Sequence, residues 1–320
     1  MRVISVVIAS MFLWPAAVVL ADDELVIQIQ HGYGTAKNFV IEGRVVEKRS
    51  GRAPSADDSR WRNLWRNLRL LVNDEQGKLP LRITLAGQGF ETRTDREGYF
   101  SVRAATPAAA KPGWNPVEVG TPGGELSARA SVLIVPLANR LGVISDFDDT
   151  LIISNVTDKS KLLKLSLMKN PVQRQAAPGM AAFLRGLAAR NPQPAAAPVF
   201  YLSASPRQLQ SSIQSFLDQN GYPRGVLLAK KVTDDKSSDP LTDQVRYKTT
   251  RIEVLLRELP GLRFILIGDD GEKDPEIYHD IRTRFPERVE AIYIRRVHPD
   301  PDRRRYSDQR PAPPAVVPGS

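Results

Sequence analysis

The 320-residue sequence contains no cysteine, which excludes disulfides, thiolate zinc sites and a cysteine nucleophile. Its three histidines, His31, His279 and His298, are widely separated, so neither a histidine-based metal site nor a Ser-His triad is expected. Aromatic residues make up 7% of the chain. With 42% hydrophobic and 25% charged residues the sequence is globular in type, and collagen-like, wholly disordered and multi-span membrane classes are excluded. The chemistry must therefore run on carboxylates, lysine, serine and threonine. What the chain does have is a cationic excess: 45 Lys and Arg against 36 Asp and Glu, a formal charge of +9. That balance favours anionic partners without saying which anion.

Residues 1–21 carry Arg2 and then an uncharged run from Val3 to Leu20, ending Val19-Leu20-Ala21 before Asp22 and Asp23. This pattern predicts a secretory signal peptide and an exported protein, periplasmic or secreted, with membrane-surface association as a further option. The rival reading is an uncleaved anchor helix, against which Pro15 counts. No cysteine follows the run, so a lipoprotein anchor is excluded.

The length suggests two domains on a prior of about 150 residues each. Residues 22–140 read as a smaller all-β domain. Short β-branched runs such as Leu25–Gln30, Phe39–Val46, Leu81–Leu85, Gly98–Val102 and Ser127–Pro136 predict an antiparallel sandwich of roughly seven strands. The stretch Ile83–Val102, with its Thr94-Asp95-Arg96-Glu97-Gly98-Tyr99-Phe100 turn, resembles transthyretin-like or carboxypeptidase-regulatory-like sandwiches. Within this domain, residues 60–72 predict an amphipathic basic helix. Trp61, Leu64, Trp65, Leu68, Leu71 and Val72 share a face, with Arg62, Arg66 and Arg69 elsewhere. That stripe reads either as a face packed on the protein's own core or as a peripheral membrane contact.

Residues 141–297 change texture to alternating strands and helices. Apolar runs at Val143-Ile144, Val199–Leu202, Gly225–Leu228, Phe264–Ile267 and Ala291–Ile294 alternate with helical patterns at Gly179–Ala189, Pro206–Gln219, Lys248–Leu259 and Pro275–Phe285. Ser205 is the expected N-cap of the second helix, with Pro206 at its first position. The expected fold is α/β, a doubly wound parallel sheet. Residues 298–320, rich in Arg, Pro and Asp, read as a disordered tail.

In such sheets ligands bind outside the carboxyl ends of the strands. There the sequence places Asp146-Phe-Asp148-Asp149-Thr150, three carboxylates within four residues. Packed like charges are costly unless a proton or a cation relieves them, and a hard divalent ion is the natural relief. A second strand ends in Ser203-Ala-Ser205, hydroxyls suited to phosphate oxygens before a helix. Lys248 opens a helix, and a last strand ends in Gly268-Asp269-Asp270-Gly271-Glu272-Lys273-Asp274.

This order resembles the haloacid dehalogenase-like phosphatase superfamily, with 52, 44 and 20 residues separating Thr150, Ser203, Lys248 and Asp269. The segments Gly142–Thr150 with Asn155-Val156, Tyr201–Pro206 and Gly268–Tyr278 further resemble the actin-patch-associated type of phosphatidate phosphatase. The remainder of the chain is similar to bacterial relatives that have an upstream β domain. The resemblance implies Mg²⁺-dependent hydrolysis of phosphatidate to diacylglycerol. It implies Asp146 as nucleophile, Asp148 as general acid and base, Thr150 as support of the loop, Ser203 as donor to a phosphoryl oxygen and Lys248 as countercharge. Mg²⁺ would be held by Asp146, the Asp148 carbonyl and Asp269, with Asp270 or Asp274 acting directly or through water. The expected partner is an anionic phospholipid or another phosphomonoester. No nucleic acid is expected, and the oligomeric state is not legible.

Several residues keep plainer readings. Asp149 reads either as a turn or helix cap or as a direct catalytic group. Glu272 and Lys273 read as surface partners, although the resemblance implies some role for them, and His279 reads as packing or surface. Lys230 and Lys231 are alternative third-motif lysines or a solvated face. Two competing functions stand beside the lipid phosphatase: a phosphatase of small soluble phosphomonoesters, and a non-catalytic exported binding or scaffold protein.

Overall fold

The computed structural model describes residues 25–30, 32–47, 78–153, 175–231, 239, 243–297, 304 and 306–313. Residues 1–21 of the expected signal peptide, the expected 60–72 helix and Asn155-Val156 fall outside the described residues.

Eight strands form one sheet in the first half: β1 (Leu25–Ile29), β2 (Gly32–Gly34), β3 (Asn38–Glu47), β4 (Pro80–Leu85), β5 (Gln88–Arg93), β6 (Tyr99–Ala105), β7 (Gly113–Gly120) and β8 (Ser127–Ile134). The order is β1-β3-β2-β8-β7-β4-β5, with β6 paired to β3. All pairings are antiparallel except β2 with β8. Local chemistry explains the corners. Ala86 and Gly87, at φ 49° and 81°, make the two-residue β4–β5 turn in the left-handed conformation that matches strand twist. Asp95 Oδ1 accepts from the backbone N–H groups of Glu97 (3.0 Å) and Tyr99 (2.9 Å), fixing the turn into β6. The sheet curls until Phe39 meets Phe90 edge-on at 5.1 Å, enclosing Ile41, Leu81, Ile83, Phe100, Val119 and Val132. A single curled sheet of eight strands thus replaces the expected sandwich of seven. Sequence reading missed β5 because five of its six side chains are polar or glycine, and β7 because Asn115 and Pro116 interrupt its apolar alternation.

The second half is a six-stranded, wholly parallel sheet. It comprises β9 (Leu141–Asp146), β12 (Val199–Pro206), β13 (Val226–Lys230), β14 (Arg263–Asp269), β15 (Val289–Arg295) and β16 (Gln309–Pro311). Their order is β13-β12-β9-β14-β15-β16. A short ribbon of β10 (Ile152–Ile153) and β11 (Gln175–Ala176) sits beyond β9. Helices cover both faces, as alternation along the strands requires. Val143, Tyr201, Ile265 and Ile267 pack with α1 (Met180–Ala188) and α2 (Gln210–Gln219). Ile144, Phe200, Leu202, Phe264 and Leu266 pack with α3 (Gln244–Glu258) and α4 (Asp274–Arg284). Tyr33, Val40 and Leu133 of the first half join this second cluster, Tyr33 lying edge-on to Phe200 at 5.3 Å. The two halves thus share one cluster, while the first half keeps a cluster of its own around Ile41 and Ile83.

Three local expectations are corrected. Within the expected disordered tail, β16 pairs in parallel with β15 and Ala312 is buried against the sheet. Ser205 does not cap a helix. β12 runs on to Pro206, and its irregular end lets the Ser205 N–H donate to Ser203 Oγ at 3.1 Å. Lys248 does not open its helix. α3 begins a turn earlier, where Asp243 Oδ1 accepts from the Arg246 N–H at 2.9 Å.

Candidate active site

The carboxyl ends of β9, β12 and β14 lie side by side, as the registers Leu202↔Asp146 and Ile267↔Ser145 require. Asp146, Ser203, Lys248, Asp269 and Asp274 are all buried there. Lys248 Nζ is the hub, 2.8 Å from Asp146 Oδ1, 2.5 Å from Asp274 Oδ1 and 3.1 Å from Glu272 Oε2. Asp146, Asp269 and Asp274 each offer an oxygen within 4.8 Å of the others. Three carboxylates therefore pair with one ammonium, and Asp269 lies beside two of them. Both carboxylate oxygens of Asp146 are buried without a hydrogen bond, the contact to Lys248 being an ion pair lacking hydrogen-bond alignment.

The surrounding residues hold this cluster. Thr150 Oγ1 donates to Asp269 Oδ2 at 3.1 Å, and the Gly271 N–H donates to Asp269 Oδ1 at 2.7 Å. Ser203 Oγ donates to Asp148 Oδ2 at 2.8 Å, so the strand-end serine aims the half-buried second aspartate. Asp274 opens α4, where the helix dipole favours a carboxylate. Gly268 makes its approach feasible, since a Cβ there would collide with the Asp274 carboxylate and the Tyr278 ring. Asp149 takes a left-handed backbone conformation, φ 57°, at the turn of the loop. Burial first, and then Asp148 and Glu272, push its carboxyl up to about 6.

Burial raises Asp146 well above the usual carboxylate range, and the neighbouring carboxylates add to it against the opposing pull of Lys248. Burial and Asp274 raise Asp269 in the same way, and burial raises Asp274. For Lys248, burial opposes the charge, but Asp146, Asp274 and Glu272 outweigh it and hold the ammonium well above its ordinary value. The buried carboxylates outnumber the buried cations at hand, Lys248 and the more distant Arg295. Such crowding favours a proton or a bound cation at the cluster. A ring of hard oxygens with excess negative charge fits Mg²⁺.

Not every expected residue joins this cluster. Asp270 turns aside, its Oδ1 accepting from the Val297 N–H at 2.7 Å. Lys230 is buried with its Nζ 5.2 Å from the Tyr247 ring centre, and Lys231 pairs with Asp95 at 2.8 Å. His279 stacks on Tyr306 at 4.3 Å and faces Asp308. Lys273 is on the surface with Glu276, but Glu272 is not a surface partner: it is buried against Lys248. Arg295 was also missed. It is buried at the end of β15 and donates to the backbone carbonyls of Asp149 and Ile152, at 3.2 Å for the latter, holding the loop after Asp146.

A parallel sheet with a lysine-centred carboxylate cluster at its carboxyl edge defines a class of α/β protein suited to handling anions through a bound cation. The relationship is narrower than that class. Residues 141–296 match the catalytic domain of phosphatidate phosphatase APP1, which relates this half of the chain to the APP1 family. Over 155 residues, 48% of this chain, it is 30% identical to phosphatidate phosphatase APP1 of Saccharomyces cerevisiae. It is 26% identical over 217 residues, 66% of this chain, to an uncharacterized protein of Schizosaccharomyces pombe. The chain spans 26% and 35% of the lengths of those two proteins. A carbohydrate acetylesterase from Xanthomonas citri aligns over 82% of this chain and 66% of its own at 10% identity, with a TM-score of 0.28, too low to carry an argument.

Proposed function

We propose that this protein is a Mg²⁺-dependent phosphoric monoester hydrolase that forms an aspartyl-phosphate, with phosphatidate as its substrate and diacylglycerol as the lipid product. The observation that carries this reading is Asp146: a buried carboxylate at a strand end, both oxygens free of hydrogen bonds, beside one ammonium. A carboxylate so stripped of solvent and donors is a competent nucleophile toward phosphorus. Asp146 attacks in line, and the leaving alkoxide departs with a proton from Asp148. Asp148 then takes a proton from the water that hydrolyses the acyl phosphate. Ser203 keeps Asp148 on station in the resting site and offers its hydroxyl to a phosphoryl oxygen on binding. Lys248 offsets the charge of phosphate and nucleophile together. Asp146, the Asp148 carbonyl, Asp269 and Asp274 would hold Mg²⁺, which supplies charge neutralisation for the phosphoryl oxygens.

In the same reading, residues 141–297 are a haloacid dehalogenase-like, doubly wound catalytic domain and residues 22–140 its β-rich companion. The leader-like residues 1–21 support export. The +9 charge supports contact with an anionic lipid surface. Among the described residues no helix is long and apolar enough to cross a membrane.

The test is turnover of purified protein on phosphatidate vesicles and on nitrophenyl phosphate, with Mg²⁺ and with chelator. Wild type should release phosphate from vesicles only with the metal, and Asp146→Asn should lose at least a thousandfold while its melting temperature holds. Near-wild-type turnover of Asp146→Asn would refute the mechanism. Activity confined to nitrophenyl phosphate would move the substrate to small soluble esters.

A further inference from the structure

At the opposite end of the parallel sheet, where the two halves meet, lies an open groove of about 970 Å³. Arg140 and Leu262, which line it, immediately precede β9 and β14, whereas Asp146 and Asp269 end those strands. The groove is therefore about 20 Å from the carboxylate cluster, at a rise of about 3.3 Å per strand residue. Its walls are apolar, with Tyr33, Val135, Leu137, Val254 and Leu262 drawn from both halves. Leu137, with 75% of its surface exposed, is the most exposed large apolar side chain among the described residues.

The rim is cationic. Lys37, Arg103, Arg140, Arg251 and Arg257 line the groove against a single acid, Glu258. Glu258 is already engaged, accepting from Tyr33 Oη at 2.6 Å and pairing with Arg103 at 2.6 Å, and Arg251 pairs with Asp239 at 3.0 Å. Lys37, Arg140 and Arg257 are solvent-exposed and have no carboxylate partner among the described residues. Three unpaired cations around an apolar trough are complementary to a ligand with one anionic end and one apolar body. The volume lies within the ~300–1,000 Å³ of small-molecule sites.

We propose that this groove binds one molecule of a free single-chain anionic amphiphile, its chain against Val135, Leu137 and Leu262 and its head at Lys37, Arg140 and Arg257. The assignment does not depend on the phosphatase reading, because the ligand does not use the carboxylate site and the deciding readout is laurate binding, with turnover and phosphate serving only as controls.

The experiment measures binding of laurate below its micellar concentration, by equilibrium dialysis, to the full protein in the presence of millimolar inorganic phosphate. One laurate per chain should bind at least tenfold more tightly than the uncharged dodecyl maltoside. Arg140→Glu combined with Arg257→Glu should weaken laurate at least tenfold, and Leu137→Asp should do so separately. Both variants should keep the wild-type melting temperature and nitrophenyl phosphate turnover. Equal binding of laurate and dodecyl maltoside, or affinity within twofold of wild type in the double variant, would overturn the proposal. So would competition by phosphate, which would place laurate at the carboxylate site. Loss of binding to phosphatidylglycerol vesicles without any laurate binding would assign the face to a membrane surface instead.

Discussion

At the scale of single residues the cluster is a charge problem, and its solution is testable through pH. Asp146, Asp269 and Asp274 are all raised in the folded protein, so the folded state holds protons that the unfolded chain gives up in the ordinary carboxylate range. Stability then falls as pH rises from that range toward the raised folded values, because the folded state binds more protons than the unfolded one. Mg²⁺ competes with those protons and binds the folded state, so its stabilising effect must grow with pH. Thermal melts with and without Mg²⁺ should show a larger metal-induced rise at pH 8 than at pH 5, and a rise that is flat with pH would contradict the cluster's charge state. Gly268 offers a steric counterpart. Gly268→Ala would push Asp274 and Tyr278 away, loosening the Asp274 contact with Lys248. It should cost about 1–3 kcal/mol as overpacking and raise the Mg²⁺ concentration needed for turnover. Unchanged metal dependence would show that Asp274 does not serve the cation. Asp146, Ser203, Lys248, Asp269 and Asp274 were legible in the sequence because each is a chemically useful group displayed against an apolar strand or helical pattern. Glu272 and Arg295 were not. Glu272 sits in a polar loop and Arg295 precedes a second arginine, and nothing in their neighbours says that either side chain turns inward.

At the scale of elements, the loop from Asp146 to Ile152 depends on a strand two positions away in the parallel sheet, β15 lying beyond β14 from β9. Arg295, at the end of β15, ties the carbonyls of Asp149 and Ile152. Arg295→Met keeps the buried stem but strips both acceptors of their donor, at about 1–3 kcal/mol. The variant should lose turnover through a lower kcat with KM little changed, since what it loosens is the nucleophile's loop. A wild-type kcat would show the tie to be structural only. The strands β9, β12, β13, β14 and β15 announced themselves as apolar runs because a parallel sheet is buried on both faces. β16 did not, because Gln309-Arg310-Pro311 is an edge strand with its side chains half or fully exposed, and no pattern of burial constrains its composition.

At the scale of the whole molecule, the cluster common to both halves should make them unfold together. Phe200 of β12 touches Tyr33 of β2 on one side and Phe264 of β14 on the other. Phe200→Ala should cost about 3–5 kcal/mol. Tyr33→Ala, on the other side of the seam, should lower the same transition, and calorimetry of either variant should show a single peak. Two separated peaks would mean that the halves unfold independently and that the common cluster contributes little.

Helix α3 joins the two ends of the molecule. Lys248 near its start serves the carboxylates, and Glu258 at its end serves the groove and the first half. Ten residues of helix separate them by about 15 Å, and each residue added or removed would turn everything beyond it by about 100°. In descent, therefore, this stretch is free to exchange letters on its exposed side but not to change its length. Relatives that keep both ends should align across 248–258 without a single gap, however far their other residues have drifted.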